Sequence, residues 1–267
     1  MALDMSKIKS RLEALKTTNG KSAHLWKPQG KSVIRIVPYK FNPENPFIEL
    51  LFHYGINNKT YLSPASFNRP DPIVEFANKL KSTGDKESWK EGRKLEPKMR
   101  TYVPILVRGE EDQGVKFWGM GKTVYQEILG IIADPDYGDI TDPKTGRDIL
   151  VEFKSAEETG KSFPETNIRV KPNQTPAFDM TNKVVLEKFR DQKDILELFP
   201  ELTYEELAAI MDSYFNAPES DDEVGTPSAD VASTEETPTE SPVAASGKKV
   251  TATAKEVAED FDKLFSS

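Results

Sequence analysis

Alternating apolar and polar residues predict several short strands along the chain. Residues 32–37 are rich in β-branched side chains and end at Pro38, as is typical of a strand. Similar runs lie at residues 47–55, 101–108, 114–118, 149–154 and 167–171. Arg35 stands alone among apolar residues of the first strand, and the alternation there favours a solvent-facing side chain.

Apolar residues at helical spacing predict four amphipathic helices. Asp71 and Pro72 begin one of them, with the carboxylate at the N-cap and proline at the first helical position, and it runs to about Lys81. The others are predicted at residues 122–133, 184–199 and 204–215, whereas residues 86–94 are compatible with a short helix or a loop. Short strands with interspersed helices favour an α+β fold around a small barrel or curled sheet.

The first residues of the chain differ from its body. Residues 6–16 have the pattern of a short basic helix, which the Asn19–Gly20 breaker separates from the body. They predict either a solvated first helix or a mobile basic arm that docks on a neighbour or on phosphate. We therefore divide the chain into an arm (residues 1–21), a core (residues 22–216) and a tail (residues 217–267).

The tail is acidic and has two parts. Residues 217–247 contain eight Asp or Glu and no Lys or Arg, with abundant Pro, Ser and Thr, so we expect a disordered tether. The tip instead places apolar residues among acidic ones on one side of a helix, as in short partner-binding motifs. The residues of this predicted protein-binding tip are Val257, Asp260, Phe261, Asp262, Leu264 and Phe265.

Charge is distributed unevenly along the 267 residues. Residues 1–122 hold 22 basic and 13 acidic residues, a net of +9, and residues 123–216 hold 10 and 19, a net of −9. The tail holds 4 basic and 12 acidic residues, and its net of −8 equals the formal charge of the whole chain. A basic front half with an acidic tail suggests a protein that binds a polyanion, with the tail competing for the same site.

Composition disfavours several classes of protein. Cysteine is absent and histidine occurs twice, so disulfides and thiolate metal sites are excluded and zinc is disfavoured. No apolar run approaches the roughly 20 residues that span a bilayer, and we expect a soluble intracellular protein that contacts no membrane.

The carboxylates of residues 134–142 depart from the spacing of a calcium-binding EF-hand loop, and a turn explains them more simply. No catalytic constellation stands out, so we expect neither an enzyme nor a cofactor.

Two stretches, residues 98–102 and 116–122, pair cations with aromatic rings on neighbouring predicted strands. Single-stranded nucleic acid requires that combination, because cations contact phosphates while ring faces stack on bases without reading sequence. The alternative is a mixed sheet with its aromatic rings in the core and its lysines in solvent. Together with the charge distribution, the two stretches favour nucleic-acid binding.

The order of these features resembles the single-stranded DNA-binding protein family of T-even-type bacteriophages, whose members coat exposed strands cooperatively. The resemblance rests on the acidic tail and on residues 26–27, 33–38, 46–48, 53–55, 98–102, 105–107, 114–117 and 121–122. It implies an OB-fold core, a basic arm for self-association along the strand, and a tail that contacts replication and recombination proteins. It also implies a role in DNA replication, recombination and repair in the cytoplasm of an infected bacterial host.

The resemblance assigns candidate residues as well. Its single-stranded DNA-binding set is Arg35, Tyr61, Lys98, Arg100, Tyr102, Lys116, Phe117, Trp118, Lys122, Phe163, Arg169 and Lys171. Its cooperativity motif in the arm is Lys7, Lys9, Ser10 and Arg11, with a matching motif in the core at Lys98, Arg100 and Thr101.

One departure from the family concerns metal binding. Its well-known members hold a structural zinc ion with one His and three Cys. His53 lies where that His is expected, but residues 62–76 contain no Cys. We therefore expect this part of the chain to fold without metal, by packing the apolar residues Ile73, Phe76, Ala77 and Leu80.

Two other functions compete with sequence-tolerant, cooperative binding of single-stranded DNA. A scaffold or interaction protein would use the basic face and the acidic tail to bind other proteins. A metal-dependent nuclease would use the carboxylates of residues 134–142.

Overall fold

The computed structural model of the protein describes residues 23–215. The predicted basic arm, the acidic tail and their candidate residues lie outside this range. The described residues divide into two compact units, which we call the strand-rich unit (residues 23–49 and 101–198) and the helical unit (residues 50–100 and 199–215). Their eight strands and seven α-helices confirm the predicted α+β class.

The strands, in chain order, are β1 (Leu25–Trp26), β2 (Lys31–Ile36), β3 (Ile48–Ile56), β4 (Lys59–Leu62), β5 (Lys98–Val107), β6 (Lys116–Met120), β7 (Arg147–Lys154) and β8 (Glu165–Gln174). Six of them form a continuous path in the order β1-β6-β5-β2-β7-β8. Neighbours on this path are antiparallel, except that β1 and β6 are parallel. The strands β3 and β4 form an antiparallel pair. Each strand predicted from the alternation is confirmed, with ends shifted by three residues or fewer.

The second half of the strand β2 is buried on both of its faces. The strand lies between β5 and β7, and Ile34 pairs with Val107 on one side and Ile149 on the other. The side chains of Ile34, Arg35 and Ile36 are all 0% exposed. The expectation of a solvent-facing Arg35 is therefore wrong, because neither face of this central strand meets solvent at residues 34–36.

The helices are α1 (Pro72–Ser82), α2 (Lys86–Leu95), α3 (Lys122–Ala133), α4 (Ala156–Thr159), α5 (Lys183–Arg190), α6 (Ile195–Leu198) and α7 (Tyr204–Phe215). Short 3₁₀ turns occupy Pro64–Phe67 and Glu111–Gln113. The helices predicted at residues 71–81, 122–133 and 204–215 are confirmed, and the ambiguous residues 86–94 are helical.

The start of α1 follows the prediction in detail. The side chain of Asp71 accepts hydrogen bonds from the backbone N–H groups of Ile73, at 2.9 Å, and Val74, at 3.3 Å. The apolar face of α1 then forms the core of the helical unit, where the packing expected of Ile73, Phe76, Ala77 and Leu80 is confirmed. Residues of α7 complete that core, among them Leu207, Met211 and Phe215.

The prediction of a single helix at residues 184–199 is wrong. The structure has two shorter helices there, α5 and α6, separated at residues 191–194. The amide of Gln192 donates to the carbonyl oxygen of Pro38 at 3.0 Å, and Asp194 accepts from the hydroxyl of Tyr39 at 2.8 Å. The backbone N–H of Ile195 donates to the hydroxyl of Tyr39 at 3.2 Å, and so bonds to a remote side chain where a continuous helix would bond to its own carbonyl oxygen. The apolar pattern therefore continues while the helix does not.

Two glycines make a matched test of local packing. A Cβ atom at Gly146 would lie 2.5 Å from the carbonyl oxygens of Ile140 and Asp142, whereas one at Gly130, inside α3, meets nothing within 4 Å. We expect Gly146→Ala to lower the free energy of unfolding by about 2 kcal/mol. Gly130→Ala should raise it by about 0.5–1 kcal/mol through helix propensity. Urea denaturation measures both, and a Gly146→Ala variant as stable as the native protein would contradict the geometry.

Candidate nucleic-acid interface

Two of the predicted stacking rings belong to the core. Phe117 and Trp118 on β6 are only 1% and 2% exposed. Trp118 makes an edge-to-face contact with Trp26, with ring centroids 5.7 Å apart, and Phe117 makes one with Tyr39 at 5.9 Å. Such contacts are typical of packed interiors. The expectation that these two rings stack on bases is therefore corrected, because neither presents a free face.

Tyr102 on β5 is half-buried and pairs with Gly119 of β6. A Cβ atom at Gly119 would lie 2.7 Å from Cε1 of Tyr102. The glycine therefore leaves space for the ring, and Tyr102 remains a candidate for contact with a base.

The predicted cations at the ends of β6 differ in availability. Nζ of Lys116 donates to Glu110 at 3.0 Å and to Gln113 at 2.7 Å, and its side chain is 15% exposed. A phosphate would have to compete with the Glu110 carboxylate for this ammonium group. Lys122, the first residue of α3, is exposed.

The last strand of the path carries exposed candidates. Arg169 and Lys171 are exposed on β8. Phe163, two residues before β8, is 62% exposed. We call Phe163, Arg169 and Lys171 the β8 surface, because an exposed ring and two exposed cations lie within nine residues of the chain.

The helical unit holds three further predicted residues. Lys98 is exposed, whereas Arg100 is half-buried. Tyr61 is half-buried and packs against the core of this unit, and burial raises the pKa of its hydroxyl. Part of the Tyr61 ring is thus already committed to packing.

A further ring, missed by the sequence reasoning, lies on α2. Trp89 is 45% exposed, and the guanidinium carbon of Arg93 lies 5.4 Å from its ring centroid, a cation–π arrangement. Lys86 and Lys90 on the same helix are exposed. The sequence does contain a signal for this exposed ring, since Trp89 is the single aromatic residue in a stretch of charged side chains. We call Lys86, Trp89, Lys90 and Arg93 the α2 surface.

Arg35 is part of a buried charge network. Its Nε donates to Oδ1 of Asp148 at 3.1 Å, and its Nη2 donates to the hydroxyl of Thr175 at 2.6 Å. Burial lowers the pKa of Arg35, and the charge and hydrogen bond of Asp148 oppose that effect. A fully buried guanidinium with these partners does not contact a phosphate, so we leave Arg35 out of the interface.

Arg108, which the sequence reasoning did not select, completes this network. It donates to the same Oδ1 of Asp148 from Nε, at 3.0 Å, and from Nη2, at 2.6 Å. It also donates to the carbonyl oxygens of Pro176, at 2.8 Å, and Ala177, at 2.6 Å. Arg108 therefore fixes the chain directly after β8 to the buried carboxylate.

The acidic residues 134–142 form turns, as expected. Asp134, Asp139 and Asp142 each accept a hydrogen bond from a backbone N–H group two residues further along the chain. Such bonds are typical of Asx turns. Among residues 23–215, no group of three or more His, Asp and Glu side chains is arranged to hold a metal ion.

The surroundings of His53 do not fit the zinc site that the resemblance implies. Its Nδ1 lies 2.8 Å from the carbonyl oxygen of Leu95, and its Nε2 lies 2.9 Å from Oδ2 of Asp71. Asp71 is also the N-cap of α1. Neither ring nitrogen is available to coordinate a metal ion.

The contribution of the Asp148 carboxylate to stability can be tested by comparing its substitution with that of Glu152, which lies on the same strand. Asp148→Asn removes the counter-charge that is hydrogen-bonded to the buried guanidinium of Arg35, whereas Arg108 keeps Glu111 at 3.6 Å. We expect a loss of about 3 kcal/mol in the free energy of unfolding. Glu152→Gln is the control. It removes pairs with Lys31 at 3.5 Å and Lys154 at 3.8 Å, all three side chains being partly exposed, and should cost less than about 1 kcal/mol. Urea titrations followed by circular dichroism would show the difference, and equal effects would refute the role of Asp148.

None of the helices within residues 23–215 is long and apolar enough to cross a membrane.

No curated protein matches the chain. The family model described as gp32 DNA binding protein like matches residues 28–214, a range that includes the β8 and α2 surfaces. Because this match covers well over half of the 267 residues, the chain belongs to the gp32-like family of DNA-binding proteins.

Proposed function

We propose that the protein binds single-stranded DNA cooperatively and without sequence preference, and coats it during DNA replication, recombination and repair in an infected bacterial host. The observation that carries the proposal is the exposure of rings together with cations: Trp89 lies beside Arg93, and Phe163 is exposed in the same stretch of chain as the exposed Arg169 and Lys171. Ring faces stack on any base, and cations follow the phosphates. Membership of a DNA-binding family supports the same conclusion.

The proposed interface differs from the set drawn from the sequence. It omits the buried Arg35, Phe117 and Trp118. It adds the α2 surface to the candidates that keep accessible atoms, which are Tyr61, Lys98, Arg100, Tyr102, Lys116, Lys122, Phe163, Arg169 and Lys171.

We propose that the strands of the strand-rich unit curl into an OB-fold-like barrel. The order of strands around β2 and β5 is compatible with a curled sheet. Opposite Arg147 and Ile149 of β7, the strand β8 advances four residues, from Gln174 to Val170. This register shift supports the curl, because such irregularities bend a strand and increase its twist.

The proposal assigns separate roles to the ends of the chain. The arm, with Lys7, Lys9, Ser10 and Arg11, would bind a neighbouring molecule on the same strand. The tail, residues 217–267, would compete with DNA through its carboxylates and bind replication and recombination proteins through its tip. These roles rest on the charge pattern and the family resemblance.

The salt dependence of oligo(dT) binding tests the proposal. Each phosphate contact should contribute about −0.7 to the slope of log K against log salt, because binding releases counterions. Residues 1–216 should bind more tightly than the full chain at low salt, since the competing tail is gone, and the two should converge as salt rises. Weak, salt-independent binding that is equal for both forms would instead favour a protein-interaction function.

Tryptophan fluorescence separates the α2 surface from the core. The chain has three tryptophans, of which Trp118 is 2% exposed, Trp26 is half-buried and Trp89 is 45% exposed. We expect oligo(dT) to quench the emission of the native protein, and Trp89→Phe to remove most of that quenching. Trp26→Phe is the control and should retain it. Full quenching in Trp89→Phe would show that the α2 surface does not contact DNA.

Substitutions on the β8 surface separate stacking from charge. Phe163→Ala should weaken oligo(dT) binding by about 1–3 kcal/mol at every salt concentration. Val184→Ala, at a site that is 56% exposed, is the matched apolar control and should have no effect. Replacing Arg169 and Lys171 with Gln should lower the salt slope by about 0.7 for each residue. An unchanged slope would remove these cations from the interface.

A further inference from the structure

The hydrogen bonds of His53 determine which of its ring atoms carry hydrogen. The partner of Nδ1 is the carbonyl oxygen of Leu95, which can only accept, so Nδ1 must donate. The partner of Nε2 is a carboxylate oxygen of Asp71. The side chains of His53 and Asp71 are 0% and 2% exposed. The protonation of the ring therefore depends on whether the Asp71 carboxyl is ionised.

The surroundings of Asp71 favour its ionised form. Three donors other than the ring bond to this carboxyl group: the N–H groups of Ile73 and Val74 donate to Oδ1, and the Ser63 hydroxyl donates to Oδ2. Asp71 is also the N-cap of α1, where the helix dipole stabilises a negative charge. An ionised carboxylate has no proton of its own to offer the ring, so Nε2 donates as well.

We propose that His53 is a buried, doubly protonated imidazolium that joins the segments of the helical unit in the place where the family resemblance implies a zinc ion. The ring belongs to β3, Asp71 caps α1, and Leu95 ends α2. Ser63, which directly follows β4, binds the same carboxylate oxygen as the ring. A single cation with two directed N–H groups therefore connects β3 to both helices, and the Ser63 bond brings in the end of β4.

This assignment is incompatible with metal binding at His53. An imidazole bound to a metal ion donates a lone pair, and a ring with hydrogen on both nitrogens has no lone pair to donate. The carboxylate next to Leu95, that of Glu96, is occupied elsewhere, since it accepts from Nζ of Lys81 at 2.6 Å. Among the charged groups in the described part of the helical unit, Asp71 alone is in hydrogen-bond contact with the ring. Its negative charge therefore balances the positive charge of the imidazolium.

Nuclear magnetic resonance on the native protein tests the protonation state directly. The chain has only two histidines, so a ¹⁵N-labelled full-length sample gives two imidazole spin systems, with His24 as the reference. At pH 7 we expect one-bond N–H couplings at both Nδ1 and Nε2 of His53, with slow exchange against solvent. A ring nitrogen of His53 without a bound hydrogen would overturn the proposal.

Thermal unfolding tests the structural consequence. We expect neither EDTA nor equimolar zinc chloride to change the unfolding midpoint of the native protein. His53→Gln should lower that midpoint by about 10 °C, because Asp71 is left buried without its counter-charge. His24→Gln is the control and should leave it unchanged. A zinc-dependent rise of the native midpoint, or an unchanged midpoint in His53→Gln, would contradict the proposal, and a His53→Gln chain that fails to fold would agree with it. None of these readouts depends on DNA binding, so they test this proposal independently of the proposed function.

Discussion

The carboxylate of Asp148 accepts hydrogen bonds from two guanidinium groups inside the strand-rich unit, and much of that unit depends on it. Arg35 lies on the central strand β2, and Arg108 follows β5 directly, so one oxygen atom joins three neighbouring strands. The fully buried guanidinium of Arg35 depends on this counter-charge, because an isolated charge in a protein interior costs several kcal/mol. Arg108 also binds the carbonyl oxygens of Pro176 and Ala177, which follow β8. The position of the β8 surface therefore rests on charges that DNA would not touch.

Rings and cations of the same types have two separate roles in this protein. Phe117 and Arg35 stabilise the fold and are shielded from solvent, whereas Phe163 and Arg169 face it. Stacking requires an open ring face, and counterion release requires a solvated charge, so only the second set suits a nucleic-acid interface. The helical unit shows the same separation. There Phe76 lies in the core and Trp89 lies on the surface beside Arg93.

Local sequence patterns predicted the strands and helices well, but they predicted less well which side chains those elements bury and which partners they contact. The Asp71–Pro72 signal located the start of α1 because capping involves only adjacent residues. Arg35 was misplaced because period-two alternation assumes one solvated face, which the central strand β2 lacks at residues 34–36. The helix predicted at residues 184–199 failed because Gln192 bonds to Pro38, more than 150 residues away in the chain, and a local pattern contains no such information. The imidazolium of His53 depends in the same way on partners that only the fold brings together.

The account places the DNA contacts on exposed rings of both units and keeps the rings of β6 in the core. Photocrosslinking of the full-length protein to oligo(dT), with the modified residues mapped by mass spectrometry, tests this assignment most directly. The account predicts adducts at Phe163 and Trp89, and none at Phe117 or Trp118. Adducts confined to Phe117 and Trp118 would contradict it, because they would require the core of the strand-rich unit to open onto the strand.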